Sequence, residues 1–501
     1  MSETSSLFMR AIGAELSERI IPELSSADAI ERANFSRLVL QNLAADIDVL
    51  PEVAAELVPA IRTAIAEALQ ELPPVAFGDR IDAWHKALQD VPSERGLGCQ
   101  REVAALRSLG AEIARGAADV VRERTAGAGQ SKIEAALARL GSIDHRWLTT
   151  YDSACNRPVA PAPASSGRTE QPSTAAGPSP TVATVTAYLQ RAFPQSPQIA
   201  ATEVIPIPGG RSKKTFFITI GGTEVLPTAM VIRQDYALRY EGTKVRDEYQ
   251  PLAKLSAMGL PVPRPLLLEA AESEIGPPFM LVERLRGTAP GSYFGLKTPC
   301  PGAFRDLARM LASLHRTAPA ELGFAAGSAT ANGLESLIDQ YELKWRTNAT
   351  KASPLVDYAY AWARHEARRD PGMLAVVHGD SGPYNFLIDT DRLTAVLDWE
   401  FAHVGDPAED LGIARVYAED VMDWREFLDI YVAAGGPEVP EHRVRLAMVL
   451  QFLKGTTLVA ASGRNFEEGW TSEFIKGANA LTGLRLIELR IAGLLQRFQA
   501  L

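Results

Sequence analysis

The stretches VVHGDSGPYNFLID (residues 376–389) and AVLDWEFAHVGDPAEDLG (residues 395–412) combine short apolar runs with polar residues at their ends. Apolar runs of this length, bounded by Gly, Pro, Asn and Asp, are typical of short strands. The run ends carry Asp380, Asn385 and Asp398. A carboxylate can deprotonate an attacking hydroxyl, and hard oxygen ligands hold magnesium. The pattern therefore predicts a site for chemistry at phosphate, whereas Asp380 or Asn385 alone would be an ordinary turn residue.

The motif H-G-D-x-x-x-x-N followed by V-L-D-W-E resembles the aminoglycoside phosphotransferase family, the small-molecule relatives of protein kinases. Protein kinases use H-R-D-x-x-x-x-N and D-F-G in the same roles. Within the family, the match is most similar to the kinase-like domains found with acyl-CoA dehydrogenases, over about residues 181–501. The resemblance implies an α+β, bilobal, protein-kinase-like fold. We expect a small β-sheet lobe at about 181–286 and a larger helical lobe at about 287–501.

The resemblance also implies a role for each polar residue of the motif. Asp380 would be the base that accepts the proton of the substrate hydroxyl. Asn385 and Asp398 would bind Mg²⁺. His378 would brace the catalytic loop, and Asp410 would hydrogen-bond to that loop from behind.

Candidate nucleotide-binding residues lie in the strands before this motif. In PGGRSKKTFF (residues 208–217), a turn between two strands would present backbone N–H groups to phosphates beside Ser212 or Lys213, or it is a plain hairpin turn. Arg233 stands where a kinase strand carries the lysine of V-A-I-K, with Glu248 on the next helix as its partner. Arg is bulkier and planar, so it is not a neutral replacement for that lysine. MLVERLRG (residues 280–287) resembles the hinge, where backbone groups around Glu283 would meet adenine.

The segment YAEDVMDWREFLDIY (residues 417–431) bears on the choice of acceptor. In aminoglycoside kinases, acidic clusters in this region bind amino groups. Here the apolar residues fall on one face of a single predicted helix, and the acids fall on the opposite face. A solvated acidic face is therefore the preferred interpretation over an amine-binding site. Just before it, DPAE (residues 406–409) predicts a helix start capped by Asp406 rather than a metal ligand.

Residues 1–150 show apolar residues at helical spacing and predict a separate all-α helical domain of unknown role. Residues 151–180 are rich in Pro, Ala, Ser and Gly, which predicts a linker. We therefore expect that a fragment starting near residue 178 folds without the helical domain. The apolar faces of the N-terminal helices must be covered by each other, by the kinase-like domain, by a second copy in a homodimer or by another partner.

Composition narrows the functional classes further. A formal net charge of −10 argues against nucleic-acid binding, because phosphate backbones attract clustered Lys and Arg. Three widely separated cysteines, Cys99, Cys155 and Cys300, predict a reducing compartment rather than a disulfide framework. The N-terminal residues lack a signal-peptide pattern, and we expect no segment of about 20 apolar residues that would cross a membrane. These features predict a cytoplasmic protein without a membrane partner.

Together, the motif and the resemblance predict a phosphotransferase that moves the γ-phosphate of ATP, or of GTP, to a hydroxyl of a small molecule with Mg²⁺. A hydroxyacyl-CoA or another metabolite would be the acceptor. One alternative is a non-catalytic nucleotide-binding or scaffold protein on a kinase fold, with Arg233 as the sign of a decayed site. The other alternative is an antibiotic-modifying kinase.

Overall fold

The structure is a computed structural model that describes most of the chain. The described residues are 3–24, 27–94, 98–123, 129–155, 180–207, 213–235, 244–293, 295–324, 333–468 and 474–500. Ser212 and nearly all of the predicted linker, residues 156–179, therefore lie outside the described residues.

Helices form the whole of the described N-terminal region and most of the C-terminal half, as the sequence predicted. Numbered in chain order, they are α1 (Glu3–Glu15), α2 (Ala27–Asp48), α3 (Leu50–Glu71), α4 (Pro74–Phe77), α5 (Asp79–Asp90), α6 (Cys99–Arg122), α7 (Gln130–Cys155), α8 (Val182–Ala192), α9 (Val245–Ala257), α10 (Pro301–His315), α11 (Gly333–Asn348), α12 (Pro354–Ala367), α13 (Ala408–Ala418), α14 (Trp424–Ala433), α15 (Glu441–Glu467) and α16 (Phe474–Arg497).

Strands occur only after residue 199 in the described part of the chain. They are β1 (Ala200–Ile207), β2 (Lys213–Gly221), β3 (Ala229–Asp235), β4 (Pro265–Glu269), β5 (Phe279–Glu283), β6 (Gly291–Ser292), β7 (Gly295–Leu296), β8 (Ala375–Val377), β9 (Phe386–Asp389), β10 (Arg392–Val396) and β11 (His403–Gly405). The first five form an antiparallel sheet in the order β1-β2-β3-β5-β4, with α9 inserted between β3 and β4. The predicted β1–β2 hairpin is confirmed, and β4 was not predicted.

The chain divides into two compact units. Unit 1 contains Met1–Arg168, Glu335–Pro371 and Met448–Leu501, and unit 2 contains Thr169–Leu334 and Gly372–Ala447. These units do not coincide with the predicted domains, because two segments that we assigned to the large lobe group with the N-terminal helices. The apolar faces of those helices are covered in part by sequence-distant helices of the same unit.

Close helix packing holds unit 1 together. A Cβ atom added to Gly141 of α7 would lie 2.7 Å from the ring of Tyr358 of α12, so the two helices approach where only glycine fits. Arg107 of α6 donates to Asp144 of α7 at 2.6 Å and lies 3.5 Å from Glu488 of α16. These carboxylates are buried, so the guanidinium compensates charges that water cannot reach.

Unit 2 has an apolar core on each face of its sheet. Successive residues of a strand point to opposite faces. One face of β2, β3 and β5 packs with Val185 and Leu189 of α8. The other face carries Met280 and Val282, which pack with α9 and α10. Arg233 pairs in register with Met280 and with Thr215, so Arg233 and Lys213 lie on the α9 side of the sheet.

Among the described helices, α15 has the length and hydropathy that could cross a membrane. This corrects the expectation that no segment would qualify. However, 83% of its most apolar window is buried inside the protein, as in a core helix of a globular fold.

Candidate active site

The loop that follows β8 is held by the carboxylate of Asp410. Its Oδ2 accepts the backbone N–H of His378 at 2.7 Å, and its Oδ1 accepts the N–H of Gly379 at 2.9 Å. The Ser381 hydroxyl lies 3.3 Å from the same Oδ1. Asp410 projects from the first turn of α13 and is fully buried. The helix therefore fixes the backbone at the point where the loop leaves the strand.

A buried histidine supports Asp410 from α10. His315 Nε2 lies 3.1 Å from Asp410 Oδ2, and its Nδ1 lies 2.7 Å from the hydroxyl of Tyr431. Burial alone would raise the pKa of Asp410, but the hydrogen bonds from His315 and from the His378 amide hold that pKa below its ordinary value. The carboxylate is therefore ionised at neutral pH and remains an acceptor for the loop.

His378 lies inside the loop and connects it to the backbone that follows β10. Its Nδ1 accepts the backbone N–H of Asp380 at 3.1 Å, and its Nε2 lies 2.9 Å from the carbonyl oxygen of Leu397. That pairing requires the proton on Nε2. The ring also meets the Trp399 ring edge-on at 4.5 Å. His378 thus contacts backbone and an aromatic ring, which is the geometry of a brace.

Both carboxylate oxygens of Asp380 are engaged by side chains of the same loop. Asn385 Nδ2 donates to Oδ2 at 3.0 Å and to the Asp380 carbonyl at 2.9 Å. The hydroxyl of Tyr384 donates to Oδ1 at 2.9 Å. A short 3₁₀ turn, Pro383–Asn385, brings both donors back toward Asp380.

Asp398 follows β10 in a left-handed backbone conformation, with φ of 65°. That conformation is uncommon outside glycine and costs free energy. The N–H of Leu397 donates to the carbonyl of Asn385 at 2.7 Å, which places Asp398 beside the loop. Burial alone would raise the pKa of Asp398, but Arg233, at 2.6 Å, lowers it. The Asp398 carboxylate is therefore ionised at neutral pH.

Two cations from neighbouring strands share the carboxylate of Glu248. Arg233 Nη2 lies 3.3 Å from Glu248 Oε2, and Lys213 Nζ lies 3.3 Å from Glu248 Oε1. Lys213 also lies 3.4 Å from Glu400 and is only 3% exposed. The predicted Arg233–Glu248 pair is therefore present. Lys213, which we expected in the turn between two strands, is the first residue of β2 and a second buried cation of the same cluster.

The predicted hinge residue, Glu283, is the last residue of β5. The side chain of Glu283 lies 3.4 Å from Arg264, and its backbone N–H donates to the carbonyl of Arg264 at 2.9 Å. The side chain of Glu283 is therefore paired outside the cluster formed by Lys213, Arg233 and Glu248. The next residue, Arg284, places its guanidinium 3.9 Å from the centre of the Phe217 ring on β2.

Three contacting residues were missed from the sequence. Glu400 belongs to the D-W-E motif, and Tyr384 directly precedes Asn385, so both residues lie within the motifs that we identified. Neither carries a local pattern that assigns a role. His315 lies 95 positions before Asp410, and nothing near it in the sequence signals the contact.

The acidic segment after α13 differs from its prediction in one respect. We predicted a single helix over residues 417–431, whereas α13 ends at Ala418 and α14 begins at Trp424. Glu419 pairs with Arg415 at 2.8 Å, and Glu426 pairs with Arg305 at 2.6 Å. These two acids therefore form ion pairs within the fold.

Asp406 caps the start of α13, as the DPAE pattern predicted. Its Oδ1 accepts the N–H of Ala408 at 2.8 Å, and its own N–H donates to Glu409 at 3.0 Å. Arg443 also pairs with the Asp406 carboxylate, and both side chains are buried. Asp406 thus has hydrogen-bond partners in the first turn of α13 and an ion-pair partner in Arg443.

The donor set of the site fits a magnesium-bound nucleotide. Arg233 Nε is buried and hydrogen-bonds to no described atom, so one N–H group of the guanidinium is unsatisfied. Asn385 and Asp398 offer oxygen ligands from adjacent positions, and Mg²⁺ commonly takes one or two protein ligands beside phosphates. No three His, Cys, Asp or Glu side chains of the described ranges converge as a metal site on their own.

Comparison with known proteins supports the same family. The sequence profile of the phosphotransferase enzyme family, APH, matches residues 203–447. Acyl-CoA dehydrogenase family member 11 of Rattus norvegicus is 27% identical over 239 residues, which cover 45% of this chain but only 29% of the rat protein. Viomycin phosphotransferase of Streptomyces vinaceus is 29% identical over 179 residues, or 33% of this chain and 59% of that enzyme.

A solved structure with a similar arrangement is macrolide 2'-phosphotransferase of Brachybacterium faecium. It is 19% identical, covers 59% of this chain and 97% of its own, and has a TM-score of 0.41. The profile match spans the antiparallel sheet, the loop of Asp380 and the segment through Asp410. Residues 203–447 are therefore similar to the phosphotransferase enzyme family, and they include every described residue of the candidate site.

Proposed function

We propose that the protein transfers the γ-phosphate of a magnesium-bound nucleoside triphosphate to a hydroxyl group of a small molecule. The observation that carries the proposal is a pair of hydrogen bonds: Asn385 donates to the Asp380 carboxylate, and Leu397, the residue before Asp398, donates its backbone N–H to the Asn385 carbonyl. A base and two oxygen ligands at adjacent positions are the parts that phosphoryl transfer to a hydroxyl requires. A scaffold protein would have no chemical need for all three.

In this proposal, Asp380 accepts the proton of the acceptor hydroxyl as that oxygen attacks phosphorus. Asn385 and Asp398 would hold Mg²⁺, which neutralises charge on the phosphate oxygens when bound. Arg233 would donate from its buried Nε to a phosphate oxygen. Lys213 lies on the same side of the sheet and would provide a second positive charge for the phosphates.

The charge of the site supports a requirement for a divalent cation. Four carboxylates lie within 4 Å of Lys213 or Arg233, namely Asp235, Glu248, Asp398 and Glu400. Two cations thus face four anions before a polyanionic nucleotide enters. A nucleotide would meet repulsion unless a divalent cation accompanies its phosphates. We therefore propose Mg²⁺, with ATP as the donor to test first and GTP as the second.

The acceptor is proposed only as a class. Glu419 and Glu426 are paired with arginines of the fold, so they do not offer a free acidic surface for a polyamine. We therefore propose a hydroxyl compound such as a hydroxyacyl thioester as the class to test first, and an aminoglycoside as the second. The cytoplasm is the proposed location, and contact with a second copy through the N-terminal helices stays a prediction.

A phosphotransfer screen tests the proposal. The full chain is incubated with ATP or GTP, Mg²⁺ and a panel of hydroxyl compounds, and products are detected by mass. Asp380→Ala should lose transfer by about 10²-fold or more, because a general base typically contributes that much, while nucleotide affinity stays within about twofold. Near wild-type turnover in Asp380→Ala would show that Asp380 is not the base. The matched control is Asp429→Ala, which removes an exposed acid of α14.

A further inference from the structure

We propose that the hydroxyl of Tyr384 caps the catalytic base until an acceptor replaces it. The cap would keep water away from Asp380 while a nucleotide waits for its acceptor. This inference rests on the proposed function, and it assigns to Tyr384 the suppression of wasteful nucleotide hydrolysis.

The contact itself is direct. The Tyr384 hydroxyl donates to Asp380 Oδ1 at 2.9 Å, and Asn385 donates to Oδ2 at 3.0 Å. An acceptor hydroxyl must hydrogen-bond to this carboxylate before it attacks phosphorus. Tyr384 thus presents an O–H group to Asp380 in the same hydrogen-bonding relation that an acceptor must adopt.

The ring that carries this hydroxyl is held against the loop. It lies 5.8 Å from the Tyr293 ring and 6.3 Å from the Tyr417 ring, and Tyr417 donates to the Tyr293 carbonyl at 2.8 Å. A Cβ atom added to Gly382 would lie 2.4 Å from the Tyr384 ring. The ring therefore covers the backbone of the loop at Gly382, and its hydroxyl is directed at Asp380.

Exchange of the cap for an acceptor leaves the Asp380 carboxylate fully hydrogen-bonded. The acceptor hydroxyl forms the hydrogen bond to Oδ1 that Tyr384 gives up, so the number of hydrogen bonds to the carboxylate is unchanged. Rotation of the Tyr384 side chain would move its hydroxyl, and the ring would then give up its contacts with Tyr293 and Tyr417. Water could make the same hydrogen bond, but it lacks the binding energy that the rest of an acceptor contributes.

The two competing reactions differ only in the attacking oxygen. In transfer, the acceptor oxygen forms a bond to the γ-phosphorus, the bond from that phosphorus to the β,γ-bridging oxygen breaks, and its electron pair leaves with the nucleoside diphosphate. The hydroxyl proton passes to Asp380. In hydrolysis, water supplies the oxygen and the proton in the same positions, and inorganic phosphate is released.

Tyr384→Phe tests the cap, because it removes the hydroxyl and keeps the ring. Nucleotide hydrolysis by the full chain with Mg²⁺ and no acceptor should rise about tenfold, a fraction of what a general base contributes. The affinity for nucleotide should stay within about twofold. Tyr188→Phe is the matched control, since it removes a hydroxyl that lies 3.1 Å from Glu269 in the sheet lobe. Its hydrolysis rate should equal that of the wild type.

Two further variants make the result decisive. Tyr384→Leu also lacks the hydroxyl, and the inference requires its hydrolysis to exceed that of the wild type as well. Adding Asp380→Asn to Tyr384→Phe should abolish the gain. Unchanged or slower hydrolysis in both single variants, with nucleotide still bound, overturns the inference and leaves the proposed function in place. Covalent phosphate on Tyr384 would also overturn it, because the hydroxyl would then be an acceptor. Absence of nucleotide binding by the wild-type chain would overturn the proposed function and the inference together.

Discussion

Replacement of Asp410 by alanine should loosen the loop of Asp380 and lower the free energy of unfolding. The change removes the acceptor of two backbone N–H groups, at His378 and Gly379, and the partner of His315. A buried donor left without an acceptor costs about 1–3 kcal/mol, with bonds to charged groups at the upper end. The three contacts are coupled, so we expect a loss of about 4 kcal/mol, which is close to the largest effects of single substitutions.

The pH dependence of this loss follows from the lowered pKa of Asp410. Its ordinary value is 3.8, and the folded value is lower. A depressed pKa contributes stability above the unfolded value, and that contribution disappears as the pH falls through the folded value. The difference between wild type and Asp410→Ala should therefore be constant near neutrality and shrink below about pH 4.

Hydrogen exchange measured by mass spectrometry gives the local readout. The amides of His378 and Gly379 should exchange much faster in Asp410→Ala, and the urea midpoint of unit 2 should fall. Asp410→Asn keeps the shape of the side chain but turns an N–H₂ group toward a donor. Its free energy of unfolding should therefore fall by about half as much as that of Asp410→Ala. Asp429→Ala serves as the control. Unchanged protection of the two amides in Asp410→Ala would refute the assigned role of this carboxylate.

Three other predictions follow from contacts described above. Asp398→Asn should weaken nucleotide binding mainly in limiting Mg²⁺, because an amide is a weaker ligand than a carboxylate; equal affinities by calorimetry at limiting and saturating Mg²⁺ would contradict this. Burial alone would lower the pKa of His403, but Glu409 raises that pKa to about 9. The His403–Glu409 pair therefore stabilises the fold fully below the ordinary pKa of 6.5, and this stabilisation is lost as the pH rises through about 9. The thermal midpoint should therefore fall as the pH rises toward 9, and it should fall slightly less in His403→Gln; the difference is small because solvent screens the partly exposed ring. Identical slopes of thermal midpoint against pH in the two proteins would refute the pairing. A fragment starting near residue 178 should show fast amide exchange in α12 and α16, because these helices lose their partners in unit 1. If both helices are fully protected in a monomeric fragment, residues 181–501 fold independently, as the sequence predicts.

The loop of Asp380 could be predicted because its determinants are local. Asp380 and Asn385 are five positions apart, and Asp398 arrives through the next hairpin, so spacing along the chain carries the geometry. Lys213 was identified for a different reason from the one the structure shows. Its place in the cluster depends on the side of the sheet that it faces, and this follows from the register with Arg233.

The division into units could not be predicted in the same way. Periodicity in α6 and α7 shows that an apolar face must be covered, but it does not identify the covering element. That element proves to include α12 and α16, which follow hundreds of positions later. Similarly, the break between α13 and α14 does not disturb the apolar spacing over residues 417–431, so the pattern was interpreted as one helix.

During synthesis, α1 to α7 leave the ribosome long before the helices that complete their core. The segments Glu335–Pro371 and Met448–Leu501 belong to the same unit but are made much later. At usual elongation rates, the delay between α7 and the last segment is roughly 20–70 s. The faces of α6 and α7 that pack on α12 in the finished fold, and the face of α7 that packs on α16, lack these partners during that time. A premature stop before α16 would therefore damage the first helices of the chain as well as the last.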